Sequence, residues 1–307
     1  SLRVVLANGE VIETFRLSKR ELSKKLGLAT FEGEIYRSLD TLIEENHDLI
    51  NQLKTNIPKN NAGYDLLDVK RKDGSFDLTP LIVGSQGTLG IITEAVISTE
   101  VHNPQTTVML ASFDSLEQLQ NAVVELVSLK DLPSALEIID GRLLEEVHAL
   151  NPNQLKEVVQ PPFPLVTMLI EFDSPDRKVK KEAKHAEKIL DKYAKDVQVA
   201  SDPEQQLMFW KVREATGTVI GHNDGQQTSL PIIGDGAVPP DRLREYMEGL
   251  SAILESSSIK TPIWGHAGQA TLIAQPKLNL SQVGDRQKAF KLMNEHFKLV
   301  SRLGGTV

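Results

Sequence analysis

An apolar strand ending in Phe-Asp-Ser occurs twice in this chain, at Val108–Ser115 and again at Val166–Ser174. Each copy leads into a helix-patterned segment, and Asp and Ser at such a junction accept hydrogen bonds from the free N–H groups of a helix start. The first copy continues to a second strand, Ala135-Leu-Glu-Ile-Ile-Asp140. The second runs through a charged helix to Asp196-Val-Gln-Val-Ala200. Two strand–helix–strand units in series predict a duplicated, ferredoxin-like α+β domain around one antiparallel sheet.

The first hundred residues read differently. Leu2–Leu6 and Glu10–Phe15 are short strands joined at Asn8-Gly9, a two-residue hairpin signal. From Glu34 to Lys54, Ile35, Leu39, Leu42, Ile43, Leu49, Ile50 and Leu53 fall on one helical stripe, which predicts a single amphipathic helix with His47 on its surface. A polar connector, 55–61, follows. The proline-containing link Val101-His-Asn-Pro-Gln105 marks the expected domain boundary, dividing the chain into 1–101 and 102–307.

Near the end of the first part lies Pro80-Leu-Ile-Val-Gly84-Ser-Gln-Gly87-Thr-Leu-Gly90-Ile-Ile-Thr-Glu-Ala95. Three glycines at three-residue spacing permit positive φ and close approach of another group. Successive exposed N–H groups in such a turn form a concave site suited to a pyrophosphate. The spacing alone is equally that of a glycine-rich hairpin turn. It is not the G-x-G-x-x-G dinucleotide fingerprint, which opens a helix, whereas this segment leads into a strand pattern.

The wording of the segment goes further than its spacing. It resembles the GS(E/Q)GTLGIIT(E/D)A signature of FAD-linked oxidases and dehydrogenases with the vanillyl-alcohol-oxidase (p-cresol methylhydroxylase) type of flavin fold, among them D-lactate dehydrogenases, the glycolate oxidase flavin subunit and D-2-hydroxyglutarate dehydrogenase. Three further passages resemble the same family in the same order: Lys59-Asn-Asn-Ala-Gly63-Tyr64-Asp-Leu66, Phe209-Trp210-Lys-Val-Arg213-Glu214 and Trp264-Gly265-His266-Ala-Gly268. The resemblance implies an FAD-binding part over 1–101 and a substrate cap over 102–307. It assigns FAD contacts to Gly84, Ser85, Gly87, Thr88, Gly90, Ile91 and Ile92. The implied reaction is oxidation of a D-2-hydroxy acid by hydride transfer to flavin, with an electron acceptor that the sequence leaves open.

Two residues stand out for chemistry. A guanidinium binds a carboxylate through two parallel hydrogen bonds, and the resemblance gives Arg213, in the W-x-x-RE helix, the substrate carboxylate. On residue type alone Arg213 is equally an ion pair with Glu214 or another neighbour. His266 ends an apolar strand at a glycine-bounded turn, where a histidine serves as base, metal ligand or hydrogen-bond partner. In several relatives this histidine, a second one seven residues on and a downstream glutamate surround a divalent metal. This chain departs from that pattern. Gln269, Ala270 and Thr271 replace Asp, Gly and Asn, and Ile273 replaces the second histidine. No metal site is expected. Gly234-Asp235-Gly-Ala-Val-Pro-Pro240 resembles a further family passage, whose acidic residue is expected to shape a turn.

Composition narrows the alternatives. The chain has 307 residues, no cysteine and a net charge of −8. Disulfides, thiolate metal sites and iron–sulfur ligation are excluded within it, and the acidic balance argues against a nucleic-acid surface. No apolar run has the length of a membrane helix and no signal-peptide pattern opens the chain, so a cytoplasmic setting is expected. The one basic run, Arg177–Lys188, mixes signs at helical spacing and reads as a solvated helix face. No G-x-S-x-G elbow supports a hydrolase.

A strand begins almost at Ser1, and Leu303-Gly304-Gly305-Thr306-Val307 reads as a helix cap leading toward a further strand. The expectation is an excised fragment lacking half of its cofactor site, colourless and inactive alone, with exposed strand edges that favour homo-oligomers. Two other functions stay open: a flavoprotein of the same fold acting on another alcohol, motivated by the substituted turn after His266, and a degenerate, non-catalytic domain.

Overall fold

The computed structural model describes the whole chain except Leu53, Lys59, Asn61, Val101, Asn103, Pro104, residues 174–177, Ser201, Asn223, Asp224 and Asp235. Several expectations touch these positions: the cap at Ser174, the start of the basic run, the acidic residue Asp235, parts of the 101–105 link and of the 59–66 passage. These lie outside the described residues. The chain divides into two compact units, Ser1–Asn56 with Asn60–Glu100, and Ile57–Lys59 with Val101–Val307.

The first unit holds β1 (Leu2–Val5) and β2 (Val11–Thr14), paired antiparallel across a turn in which Gly9 has φ +85°. Helices α1 (Lys19–Leu26), α2 (Phe31–Glu45) and α3 (His47–Gln52) follow, then a four-residue helix α4 (Thr79–Ile82) and β3 (Ile91–Ala95). Ser18 caps α1 by a complete capping box with Glu21. The sheet order is β2-β1-β3. Val4 and Ile12 from the sheet, Tyr36 and Ile43 from α2, Ile50 from α3 and the loop residues Val69 and Phe76 form the core.

The expected single helix from 34 to 54 is two helices. Asn46 ends α2, its side-chain amide donating to the Leu42 carbonyl. Leu42 in α2 and Leu49 in α3 are exposed, and Tyr36 of α2 fills the core. The segment before Gly84 also differs from a hairpin arm. Pro80 stands in the first turn of α4, where its missing N–H costs nothing.

The second unit is built on β4 (Thr107–Phe113), β5 (Ala135–Asp140), β6 (Val166–Phe172), β7 (Asp196–Val199), β9 (Trp264–His266) and β10 (Thr271–Ile273), in the order β10-β9-β5-β6-β4-β7 with every neighbouring pair antiparallel. Its β5-β6-β4-β7 portion is the ferredoxin-like order expected from the repeated Phe-Asp-Ser strands. A two-stranded ribbon joins β8 (Thr228–Ser229) to β11 (Lys277–Leu278). The helices are α5 (Leu116–Val127), α6 (Gly141–Leu150), α7 (Lys178–Tyr193), α8 (Pro203–Glu214), α9 (Thr216–Gly221), α10 (Leu243–Ser256) and α11 (Val283–Arg302). Ser115 caps α5 through the Gln118 N–H, and Asp202 caps α8 through the Gln205 N–H.

Alternate residues of a strand face opposite sides, and this sheet is apolar on both. Met109, Ala111, Ile138, Met168 and Ile170 pack with α5, α7, α10 and α11. Val108, Leu110, Ile139, Leu169 and Trp264 pack with α6, α8 and α9. Burying each such side chain stabilises the fold by about 1.5–3 kcal/mol. Among the described residues no helix is long and apolar enough to cross a membrane.

Candidate functional site

Glu137 interrupts the apolar run of β5. By strand alternation it faces α8 with Ile139, while Leu136 and Ile138 face the opposite core. Only 10% of its side chain is exposed. A bare carboxylate there would be costly, and two partners offset the cost. Arg213, in the last turn of α8, donates from Nε to Oε2 at 2.7 Å. His266, directly opposite Glu137 on β9, is joined to Oε1 through Nδ1 at 2.6 Å. Burial works to raise the Glu137 pKa, but the hydrogen bonds from His266 and Arg213 outweigh it and hold the carboxyl below its ordinary value.

That hydrogen bond fixes the histidine. An ionised carboxylate has no proton to give, so Nδ1 carries the hydrogen of this bond and Nε2 is the ring nitrogen left for another partner. His266 has 44% of its side chain exposed, which leaves the ring open to a ligand. The guanidinium is held in two places: Nε on Glu137, and Nη1 on the Thr216 hydroxyl at 3.3 Å. Among the described residues Nη2 has no partner. The expected site residues Arg213 and His266 are thus brought together through a carboxylate that the sequence does not single out, and Arg213 pairs with Glu137, not with Glu214. The signal available in the sequence was a single acidic residue inside an otherwise apolar strand.

β6 carries a second such residue. Glu171 faces the same side of the sheet, its carboxyl pushed up by burial, eased by a hydrogen bond from the Trp210 indole and pushed further by Asp173.

The turn after His266 is tight. A Cβ on Gly265 would lie 2.0 Å from the Thr271 carbonyl oxygen. Ala270 takes φ +48°, a left-handed conformation that an L side chain adopts with strain. It occupies the position where the family pattern has glycine. Ile273 lies in β10 opposite Trp264 and packs with the core beside α8.

In the first unit the glycine segment forms a helix–turn–strand. Gly84, Gln86 and Gly87 have φ of +83°, +52° and +78°, and a Cβ on either glycine would meet nothing within 4 Å. The Ser85 and Thr88 N–H groups are spent on turn carbonyls. Among the described residues those of Gly84, Gln86 and Gly87 make no hydrogen bond. Ser85 is buried, and the Thr88 hydroxyl donates to its carbonyl at 2.6 Å and meets the Tyr64 hydroxyl at 2.8 Å. Gly90 abuts β1, where a Cβ would lie 2.7 Å from a Val4 methyl. Ile91 and Ile92 are exposed on β3. Positive φ, open backbone and free N–H groups fit an anionic ligand such as the pyrophosphate of FAD.

The second unit is thus a ferredoxin-like α+β domain that carries a partly buried Arg–Glu–His cluster. Residues 102–307 match the family described as FAD linked oxidases, C-terminal domain, and the chain belongs to that family. It is similar to D-2-hydroxyglutarate dehydrogenase of Pantoea ananatis, 24% identical over 99% of the chain and 31% of the relative. It is also similar to glycolate oxidase subunit GlcD of Escherichia coli, 26% identical over 80% of the chain and 47% of that subunit. The chain thus spans about a third to a half of the curated relatives it matches. Among solved structures, 4-ethylphenol oxidase from Gulosibacter chungangensis superposes with a TM-score of 0.62 at 10% identity, covering all of the chain and 56% of the oxidase, a likeness of fold.

Proposed function

We propose that this chain is part of an FAD-dependent oxidoreductase that oxidises the CH–OH group of a 2-hydroxy acid. The observation that carries the reading is the shared carboxylate of Glu137, which holds a cationic fork and an imidazole side by side. Arg213 receives the substrate carboxylate, and the Nε2 lone pair of His266 accepts the hydroxyl proton. Glu137 then balances the imidazolium that forms. Gly84, Ser85, Gly87, Thr88, Gly90, Ile91 and Ile92 would hold FAD, the glycine N–H groups at its pyrophosphate and the isoleucines along its apolar surface. Bound flavin supplies the hydride acceptor. A separate electron acceptor reoxidises it. The absence of cysteine from the sequence suits a cytoplasmic setting.

The experiment is an anaerobic visible spectrum of the protein expressed from its complete gene, recorded while D-lactate, glycolate and D-2-hydroxyglutarate are added in turn. Bleaching of the flavin band by one of them, lost in Arg213→Ala and in His266→Gln, is the expected result. Flavin that no acid bleaches, or no flavin at all, rules the reading out.

A further inference from the structure

Arg213 is held at a second point, by a residue just past the Trp210–Glu214 passage that singled the arginine out. Thr216 opens α9, and the helical backbone at Ala215 carries the chain from α8 into it. Residues three apart on helical backbone are side-chain neighbours. Thr216 is buried, with 7% of the residue exposed. Its hydroxyl donates to the Arg213 carbonyl at 3.1 Å. A hydroxyl has one hydrogen and two lone pairs. With that hydrogen spent, Thr216 meets Nη1 of the guanidinium as an acceptor, at 3.3 Å.

A guanidinium has one N–H on Nε and two on each terminal nitrogen. Glu137 takes the hydrogen on Nε, and Thr216 takes one of those on Nη1. The second hydrogen on Nη1 and both on Nη2 are left. A carboxylate bound through two parallel hydrogen bonds needs donors on neighbouring nitrogens. Any edge that includes Nε is closed by Glu137, so the open fork is the Nη1–Nη2 end. Glu137 alone grips the group at one nitrogen, about which the guanidinium plane is free to swing. We propose that Thr216 is a positioning residue, whose hydroxyl is the second anchor that aims the Nη1–Nη2 end of Arg213 at the carboxylate of a bound acid. This rests on the functional reading above, in which Arg213 receives that carboxylate. Hydrogen bonds to a charged group are among the stronger ones, and at a buried position no bulk water takes the place of a missing hydroxyl.

The test uses the protein expressed from its complete gene. It compares Thr216→Val, which keeps the shape and removes the acceptor, with Thr216→Ser, which keeps the hydroxyl. One readout is flavin reduction by the acid that bleaches the wild type, resolved into a dissociation constant and a limiting rate. The other is calorimetric titration with propionate, which has the carboxylate but no CH–OH group, with Arg213→Ala as the control that abolishes its binding. Thr216→Val is expected to raise both dissociation constants about tenfold and to change the limiting rate by less than about twofold, the signature of an interaction made equally in ground and transition states. Thr216→Ser is expected to stay within about twofold of the wild type. Unchanged dissociation constants in Thr216→Val overturn the inference, as does an equal loss in Thr216→Ser or a loss confined to the limiting rate. Thr216→Ala replaces the valine variant if the latter lacks a native near-UV circular dichroism spectrum. Propionate binding weakened by Thr216→Val, in a protein whose flavin no acid reduces, keeps the positioning role and removes the redox reading. Flavin reduction indifferent to Thr216 does the reverse. Folded wild-type protein that neither binds propionate nor is reduced by any of the acids overturns both.

Discussion

The three-stranded and six-stranded sheets of this molecule are made from similar words and end in different surroundings. β3 reads Ile-Ile-Thr-Glu-Ala and is exposed along its whole length, with Ile91 at 69% and Ile97 just beyond it at 80%. β6 reads Val-Thr-Met-Leu-Ile-Glu-Phe, and six of its seven residues are buried. β-Branched and apolar composition makes a strand in both cases. What buries a strand is the number of faces that helices cover. Helices pack on both faces of the six-stranded sheet. The three-stranded sheet has one core and, beside it, an apolar cavity of about 390 Å³ lined by Leu6, Ile12, Phe31, Leu39, Leu81 and Leu89. The acidic interruptions carry different meanings for the same reason. Glu94 in β3 is an exposed partner of Arg3, whereas Glu137 and Glu171 are held where a charge must be answered.

The contrast can be broken most severely at Arg213. Arg213→Leu leaves the Glu137 carboxylate buried with one partner removed, and a broken buried pair costs about 3–5 kcal/mol. Urea denaturation followed by tryptophan fluorescence reports the second unit alone, since both tryptophans belong to it. The midpoint is expected to fall sharply, while hydrogen exchange in β1 and β2 stays as in the wild type. Loss of protection in both units would show that they are not energetically separate.

Acid sharpens the comparison with a smaller effect. The folded Glu137 pKa lies below its ordinary value of 4.5, so its pairing stabilises the second unit above that value. The contribution is lost as pH falls through the lowered folded pKa. Glu137→Gln is expected to remove this part of the acid dependence, read from urea midpoints between neutral pH and about pH 3. An unchanged acid dependence would mean that Glu137 shares its charge less tightly than the geometry implies.

The smallest effect is expected at the exposed strand. Ile97→Lys changes stability by no more than about 0.5 kcal/mol, because it removes no buried contact. A larger loss, measured by the same denaturation with hydrogen exchange in the first unit, would show that this surface is covered in solution.

Local chemistry was readable in the sequence wherever the cause was local. Asn8-Gly9 announced the first hairpin, and Phe113-Asp-Ser115 announced both a strand end and the cap of α5. The break between α2 and α3 was hidden, because no proline or glycine marks it and the apolar stripe is continuous on paper only if the helix never restarts. α4 was hidden because its four residues carry no periodicity. Arg213 and His266 stood out by motif, yet the carboxylate joining them did not. Glu137 looks like one acidic residue in a strand until the chain has brought a helix 76 positions away and a strand 129 positions away onto it.

Those separations set a clock for the molecule. Local hairpins and the first strand–helix–strand unit form from neighbours in the chain, but the Glu137 cluster closes only when β9 docks against β5. Contacts of such long sequence separation bear the largest loop-closure cost and slow the step that makes them. The Arg–Glu–His cluster is therefore complete only once β9, 129 positions from Glu137, has joined the sheet. A nascent chain that has reached Glu214 holds Glu137 and Arg213 but not His266, so the carboxylate gains its second partner only with the closing strands.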